Sequence, residues 1–156
     1  MPECPQNNPP ERFLDDYLLY LLARTSHLIS GEFHEQLRRR GVAVPVWRVL
    51  ASLVGSVEGE TVTGLAEVCL LQQPTMTKLL DRMARDGLVR RTQDARDRRV
   101  VRVALTPRGE TMALELVQAA RQHEREVLTR HPEAETMALK PLLRAIMARQ
   151  RRGRRA

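Results

Sequence analysis

Residues Thr63–Arg99 read TGLAEVCLLQQPTMTKLLDRMARDGLVRRTQDARDRR. The stretch divides into two short amphipathic helices, a tight turn and an arginine-loaded hairpin. A helix-turn-helix needs apolar residues at set positions and a small residue where its helices meet. With Ala66 as the small residue, the inward positions are Leu65, Cys69, Leu71, Met76 and Leu79, and all five are apolar. The turn position that favours glycine holds Leu70, a departure tolerable where the backbone avoids positive φ. Pro74 opens the second helix in its first turn, where a missing N–H costs nothing. That helix runs to about Arg85 with Met76, Leu79, Leu80 and Met83 facing in, and Asp86–Gly87 terminates it. Leu88–Thr92 and Val100–Leu105 alternate and are β-branched enough to pair as a hairpin.

Charge concentrates in the same region. Between Lys78 and Arg108 there are ten Lys/Arg and four Asp/Glu, a local +6 against +7 for the whole chain. A polyanion is the partner that this arrangement implies, and a DNA duplex fits it best. At the start of the second helix Gln72, Gln73, Thr75, Thr77 and Lys78 point outward, with Arg82 following. Gln pairs bidentately with adenine, Thr touches a thymine methyl, and Lys takes a phosphate or guanine. In the loop, Arg96, Arg98 and Arg99 sit among Asp94 and Asp97. Asp97 is read as ordering the wing with Arg99, which leaves Arg96 to enter a narrow minor groove. The bland alternatives are exposed polar side chains on a surface helix and a salt-bridged surface turn.

Outward from this centre the chain reads as mainly α with a small β-hairpin. At 156 residues it is one domain, or one domain with a helical extension. Phe13–Ile29 is a helix with apolar residues on two faces, so it is buried on two sides, the second against another subunit. Glu32–Arg40 is a second, shorter helix with Phe33 and Leu37 inward and Gly41 as its stop. Pro45 starts a third, whose core face is Val46, Trp47, Val49, Leu50, Leu53 and Val54. A loop over Gly55–Glu60 leads to a short strand around Thr61–Val62, and Thr63 caps the helix Val62–Val68. Thr106 caps a long helix striped with Met112, Leu116, Ala119, Ala120, Val127 and Leu128, and Pro132 breaks it. Ala134–Met147 is the last helix, with Met137 among its apolar residues. The layout is a disordered lead (1–12), a helical dimerisation layer (13–42 and 109–148), a winged helix-turn-helix (43–108) and a flexible basic tail (149–156).

Several classes are disfavoured. The longest apolar run, Tyr17–Ala23, falls far short of the ~20 residues of a membrane span. The N-terminus lacks the charge and apolar core of a signal peptide, so the cytoplasm, at the nucleoid, is the expected location. Cys4 and Cys69 form neither a disulfide framework nor a zinc spacing, and no metal or cofactor site is expected. No nucleophile–base set, paired carboxylates or phosphate loop is present, and His34–Glu35 lacks the second histidine of a zinc-protease motif, so catalysis is not expected.

The run LAEVCLLQQPTMTKLLDRMARDGLVRRTQDARDRRVVRVALTPRG, Leu65–Gly109, closely resembles the winged-helix core of MarR-family transcription regulators. The D-x-R-D-R-R wing followed by a strand and L-T-P-x-G is its most specific part. The likeness extends over roughly Leu14–Met147. It implies a homodimer whose terminal helices interlock, and a pseudo-palindromic operator with recognition helices in major grooves and wings in the minor groove. It also implies repression released by a small aromatic anion. The family's effector pocket lies between the dimer helices and the winged domain. Tyr20, Arg24, His27, Phe33 and Trp47 are the candidates to line it, Arg24 and His27 neutralising a carboxylate and Tyr20 or Trp47 stacking on a ring. Asp15–Leu37 looks like the subgroup that controls nicotinate and related aromatic-acid breakdown, so a nicotinate- or hydroxynicotinate-like effector is expected. Two rivals remain open: a redox-responsive regulator of the same fold using Cys69 or Cys4, and a non-specific architectural DNA binder driven by the wing and the arginines of 149–155.

Overall fold

A computed structural model describes residues 12–94, 97–131 and 133–153. The order is a 3-10 turn (Phe13–Asp15), α1 (Leu18–Arg39), α2 (Val44–Leu53), β1 (Glu60–Thr61), α3 (Val62–Val68), α4 (Gln73–Arg85), β2 (Val89–Gln93), β3 (Val101–Leu105), α5 (Pro107–Arg130) and α6 (Glu133–Gly153). The hairpin is part of a three-stranded antiparallel sheet ordered β1-β3-β2. The short strand lies at Glu60–Thr61 rather than Thr61–Val62, paired with Val103 and Arg102. The core gathers Val49, Leu50 and Leu53 of α2, Leu65 and Cys69 around α3, Met76, Leu80 and Met83 of α4, Val103 of β3, and Ala113 and Leu116 of α5. Burying a side chain of this size contributes about 1.5–3 kcal/mol, so α4 is held by its inward stripe rather than by intrinsic propensity.

Several expectations need correction. The two helices expected over 13–29 and 32–40 are one 22-residue helix, α1, after the 3-10 turn. Gly31 falls between the two expected helices. It lies inside the helix instead, and the Ser30 hydroxyl donates back to the Ser26 carbonyl on the same helix. A mid-helix glycine costs only about 1 kcal/mol against alanine, too little to divide a helix whose C-terminal half is anchored by buried Phe33 and Leu37. The cap of α3 is Thr61 and not Thr63: the Thr61 hydroxyl accepts the Gly64 N–H at 3.0 Å. The last helix does not stop at Met147 but continues through Gly153, so 149–153 is helical rather than tail. The lead 1–11, Pro132 and 154–156 lie outside the described residues, as does the Met137 side chain.

Three helices end in the same hydrogen-bonded form. After α1, Val42 N–H donates to Leu37 and Gly41 N–H to Arg38; after α4, Leu88 donates to Met83 and Gly87 to Ala84. After α3, Leu71 donates to Ala66 and Leu70 to Glu67. Each is a paired 6→1 and 5→2 closure with a left-handed residue between helix and exit. Glycine fills that residue twice, at φ +69° and +70°, but at the helix-turn-helix it is Leu70 at φ +58°. The condition that would have excused a leucine there is therefore not met. Leu70 is 80% exposed, so no packing offsets the strain.

The L-T-P-x-G run has a steric basis. The Thr106 hydroxyl accepts the Gly109 N–H at 3.0 Å and donates to the Gly87 carbonyl at 2.6 Å. Thr106 N–H donates to the Leu88 carbonyl at 3.1 Å. A β-carbon on Gly109 would stand 1.9 Å from that same carbonyl oxygen. Only glycine lets α5 start against the end of α4.

A polar strap joins α1 to the far end of α5. Arg130 donates to both carboxylate oxygens of Glu32, at 2.9 and 2.6 Å, and buried His123 brings Nε2 to 3.4 Å. The Arg130 hydrogen bond, with help from His123, holds the Glu32 carboxyl at about 2, below its ordinary 4.5.

Two measurements follow. Leu70→Gly is expected to stabilise the fold by about 1 kcal/mol, raising the thermal midpoint by about 2–4 °C; an unchanged or lowered midpoint would contradict the strain. For Glu32, a depressed folded pKa means stability present above about 4.5 and lost as pH falls toward about 2. Urea midpoints of the native protein and Glu32→Gln should therefore differ at neutral pH and converge below pH 4.5, whereas a pH-independent gap would rule the strap out.

Candidate nucleic-acid interface and effector cavity

The inward stripe of α4 fixes what its outer surface presents. Gln72, Gln73, Thr75, Thr77, Lys78 and Arg82 are all exposed. At 100° per residue they divide into flanks. Gln73, Thr77 and Asp81 form one ridge, toward the wing, and Thr75 and Arg82 lie on the other side of Lys78. The Thr77 hydroxyl donates to the Gln73 carbonyl at 3.0 Å, which orders the wing-side ridge. Arg82 lies 3.9 Å from Asp86, an exposed pair too weak to hold its guanidinium. The turn before α4 is braced from α2, where Arg48 donates to the Cys69 carbonyl at 3.2 Å.

The wing is ordered by aspartates, in part differently from the sequence reading. Asp97 does meet Arg99, but its carboxylate accepts the Arg99 backbone N–H at 2.9 Å and leaves the guanidinium exposed. Asp94 accepts the Asp97 N–H at 3.1 Å and also pairs with Arg102 of β3. That partnership raises the Arg102 pKa, and a second Arg102 nitrogen donates to the Gly59 carbonyl at 3.2 Å. Arg98 is exposed as well, whereas Arg96 lies outside the described residues. Arg99 helps line a notch of about 380 Å³ with Thr61, Thr63, Gln73 and Thr77, so wing and recognition helix share one concave surface.

A contact the sequence reading missed joins the two parts. Arg91 of β2 pairs with Asp81 of α4 at 2.7 Å and donates to the Thr77 carbonyl at 3.1 Å. The signal was available: Arg91 occupies the strand face that Val89 buries, where an apolar residue is the usual choice.

A second feature lies at the other end of α5. A cavity of about 600 Å³ opens between α1, α5 and α6, with Phe33 and Trp47 in its lining. Phe33 lies between two rings, Trp47 at 5.3 Å and His123 at 5.7 Å. Ile29, Val127, Leu128 and Leu139 supply the apolar remainder, and His34, His131 and Lys140 the polar rim. Burial, then Arg48 and His27, lower the His34 pKa, which disfavours the charged imidazolium. Lys140 pairs with Glu124 at 2.7 Å. Of the five residues expected to line an effector pocket, Phe33 and Trp47 line this cavity. Tyr20, Arg24 and His27 are exposed on α1, outside that lining. The cavity takes the face of α1 that carries Thr25, Ile29 and Phe33, and at 100° per residue Tyr20, Arg24 and His27 fall on the opposite face.

Cys69 is fully buried, and burial pushes its thiol upward, away from the thiolate that redox chemistry needs. Cys4 lies outside the described residues. Among the described residues no helix is long and apolar enough to cross a membrane.

Known proteins carry the same arrangement. The pattern of the MarR family matches residues 47–101. The MarR family transcriptional regulator SPO1453 from Silicibacter pomeroyi DSS-3 has a crystal structure that superposes with a TM-score of 0.80 at 40% identity, covering 88% of this chain and 98% of that one. YsmB, an uncharacterized HTH-type transcriptional regulator of Bacillus subtilis (strain 168), is 37% identical over 67 residues, 43% of this chain and 46% of that protein, so the match spans about half that relative's length. The homoprotocatechuate degradative operon repressor of Escherichia coli is 27% identical over 99 residues, 64% of this chain and 66% of that protein. With its winged helix-turn-helix and a relative of 40% identity matched over nearly its whole length, this chain belongs to the MarR family of transcriptional regulators.

Proposed function

We propose that the protein is a homodimeric, sequence-specific DNA-binding repressor rather than an enzyme. It acts in the cytoplasm at the nucleoid, on an operon for breakdown of aromatic compounds. The observation that carries this reading is the exposed run Gln72–Lys78 at the start of α4, beside a wing whose exposed Arg98 and Arg99 follow the same surface. Gln72, Gln73, Thr75, Thr77 and Lys78 read base edges and phosphates in the major groove, Arg82 adds a phosphate contact, and Arg96, Arg98 and Arg99 take the minor groove. A purely electrostatic binder has no use for the polar, uncharged part of this run, which favours sequence reading over the architectural alternative.

Dimerisation is supported by apolar surface that one chain leaves open. Leu18, Leu19, Tyr20, Leu21 and Leu22 are all exposed on successive positions of α1, as are Leu142, Ile146 and Met147 on α6. Five consecutive apolar residues cover every side of a helix, so no packing within one chain buries them all. Two copies place two α4 helices on one duplex, which requires an inverted repeat with half-sites about one helical turn (~10 bp) apart.

The effector is a small aromatic carboxylate, nicotinate or a hydroxynicotinate being the first choice, held in the cavity beside Phe33 and Trp47. Its ring packs on those two side chains, and its carboxylate draws Lys140 away from Glu124, with His131 adjacent. The E. coli relative, named as repressor of a homoprotocatechuate degradative operon, supports the aromatic class.

Selection from a random duplex pool tests the DNA reading: an inverted repeat with the stated spacing is expected, and no enrichment would defeat it. Trp47 is the only tryptophan in the chain, so its fluorescence reports on the cavity directly. A saturable change with nicotinate or hydroxynicotinate, weakened by Lys140→Ala and untouched by Arg24→Ala, is expected. A change that depends on Arg24 and not Lys140 would move the site to the opposite face of α1.

A further inference from the structure

We infer that Arg91 and Asp81 form a latch that sets the angle between recognition helix and wing, and that DNA affinity depends on it although neither residue needs to touch DNA. The inference rests on the DNA-binding reading above and adds a positioning pair to it.

Arg91 stands opposite Val103 in the β2–β3 ladder. Directly opposed side chains share a sheet face, and Val103 is fully buried, so Arg91 leaves the strand on the side that packs inward. From there one guanidinium nitrogen reaches the Asp81 carboxylate at 2.7 Å and another reaches the Thr77 carbonyl at 3.1 Å. The planar fork thus grips two successive turns of α4 on a single ridge. That ridge continues to Gln73, whose carbonyl takes the Thr77 hydroxyl. Gln73 and Thr77 line the notch shared with Arg99 of the wing. The latch therefore fixes the two side chains of α4 nearest the wing relative to the wing itself.

Energetics separate this role from a direct phosphate contact. Asp81 is half-exposed on the outer surface of a helix proposed to meet a polyanion. By charge alone, an aspartate there repels DNA, and removing it should tighten binding. If Arg91 instead turns to a phosphate when DNA arrives, losing Asp81 frees it and again tightens binding. Only a positioning role makes the loss of this acid weaken the complex.

The test uses the full-length protein and the duplex that it enriches from a random pool, with affinity measured across a salt series. Asp81→Ala is expected to weaken binding about tenfold, with the thermal midpoint near that of the native protein. Arg91→Ala is expected to weaken it similarly without changing the slope of log affinity against log salt, whereas loss of a phosphate contact lowers that slope by about 0.9. The double variant should be no weaker than either single one, and Arg91→Lys, which keeps charge but not the fork, should fall between. Equal or tighter binding by Asp81→Ala, or a reduced slope in Arg91→Ala, would overturn the latch while leaving DNA recognition intact. Failure of the native protein to enrich any duplex would overturn both.

Discussion

The Leu88 carbonyl oxygen is where the parts of this molecule meet. It accepts the Thr106 N–H, the Thr106 hydroxyl donates to the adjacent Gly87 carbonyl, and Gly109 lies against the Leu88 oxygen so closely that a β-carbon has no room. Leu88 is the exit residue of α4, one residue before β2, and Thr106 caps α5 one residue after β3. One oxygen therefore ties the recognition helix, both long strands of the wing and the start of the long helix into a single joint. Capping of this kind contributes about 1 kcal/mol by itself. Its larger effect is geometric, since the direction of α5 is fixed relative to α4.

Alpha-5 runs 24 residues from that joint. At about 1.5 Å per residue it carries Arg130 some ~35 Å away. There it meets α1 through the Glu32–Arg130 strap and lines the cavity through His123, Val127 and Leu128. A ligand in the proposed site would touch α1, α5 and α6 at once, and α1 and α6 carry the apolar surface left for a second copy. In the proposed mechanism, ligand binding shifts how two copies sit against each other, and the Leu88 joint transmits that shift to the spacing of two α4 helices. Coupling requires only that the ligand favour one spacing over another.

The helix-turn-helix was legible because its inward positions are chemically restrictive. Leu65, Cys69, Met76, Leu80 and Met83 leave one register open, and Pro74 and Thr106 mark helix starts in their usual places. Local signals failed where tertiary packing decides. Gly31 and the residues around it read as a break, but the burial of Phe33 and Leu37 outweighs a helix penalty of about 1 kcal/mol. Tyr20, Arg24 and His27 miss the cavity for another reason: it lies on the opposite face of α1, and the sequence alone does not say which face meets α5 and α6. His34, His131 and Lys140 come from helices far apart in sequence, and no spacing rule brings them together. Leu70 shows the reverse case: the turn demands positive φ whatever residue occupies it, because the Ala66 and Glu67 carbonyls must be satisfied. Arg91 was readable as an odd residue on an inward strand face, but its partner was not.

Chemical mapping of DNA contacts tests the account most directly. On the duplex that the protein enriches, methylation of guanine N7 reports the major groove and of adenine N3 the minor groove. Two blocks of N7 interference about one helical turn apart, each flanked by N3 interference, are expected from two α4 helices with a wing beside each. Interference spread evenly along the duplex, or confined to the minor groove, would contradict the placement of α4 as the reading element.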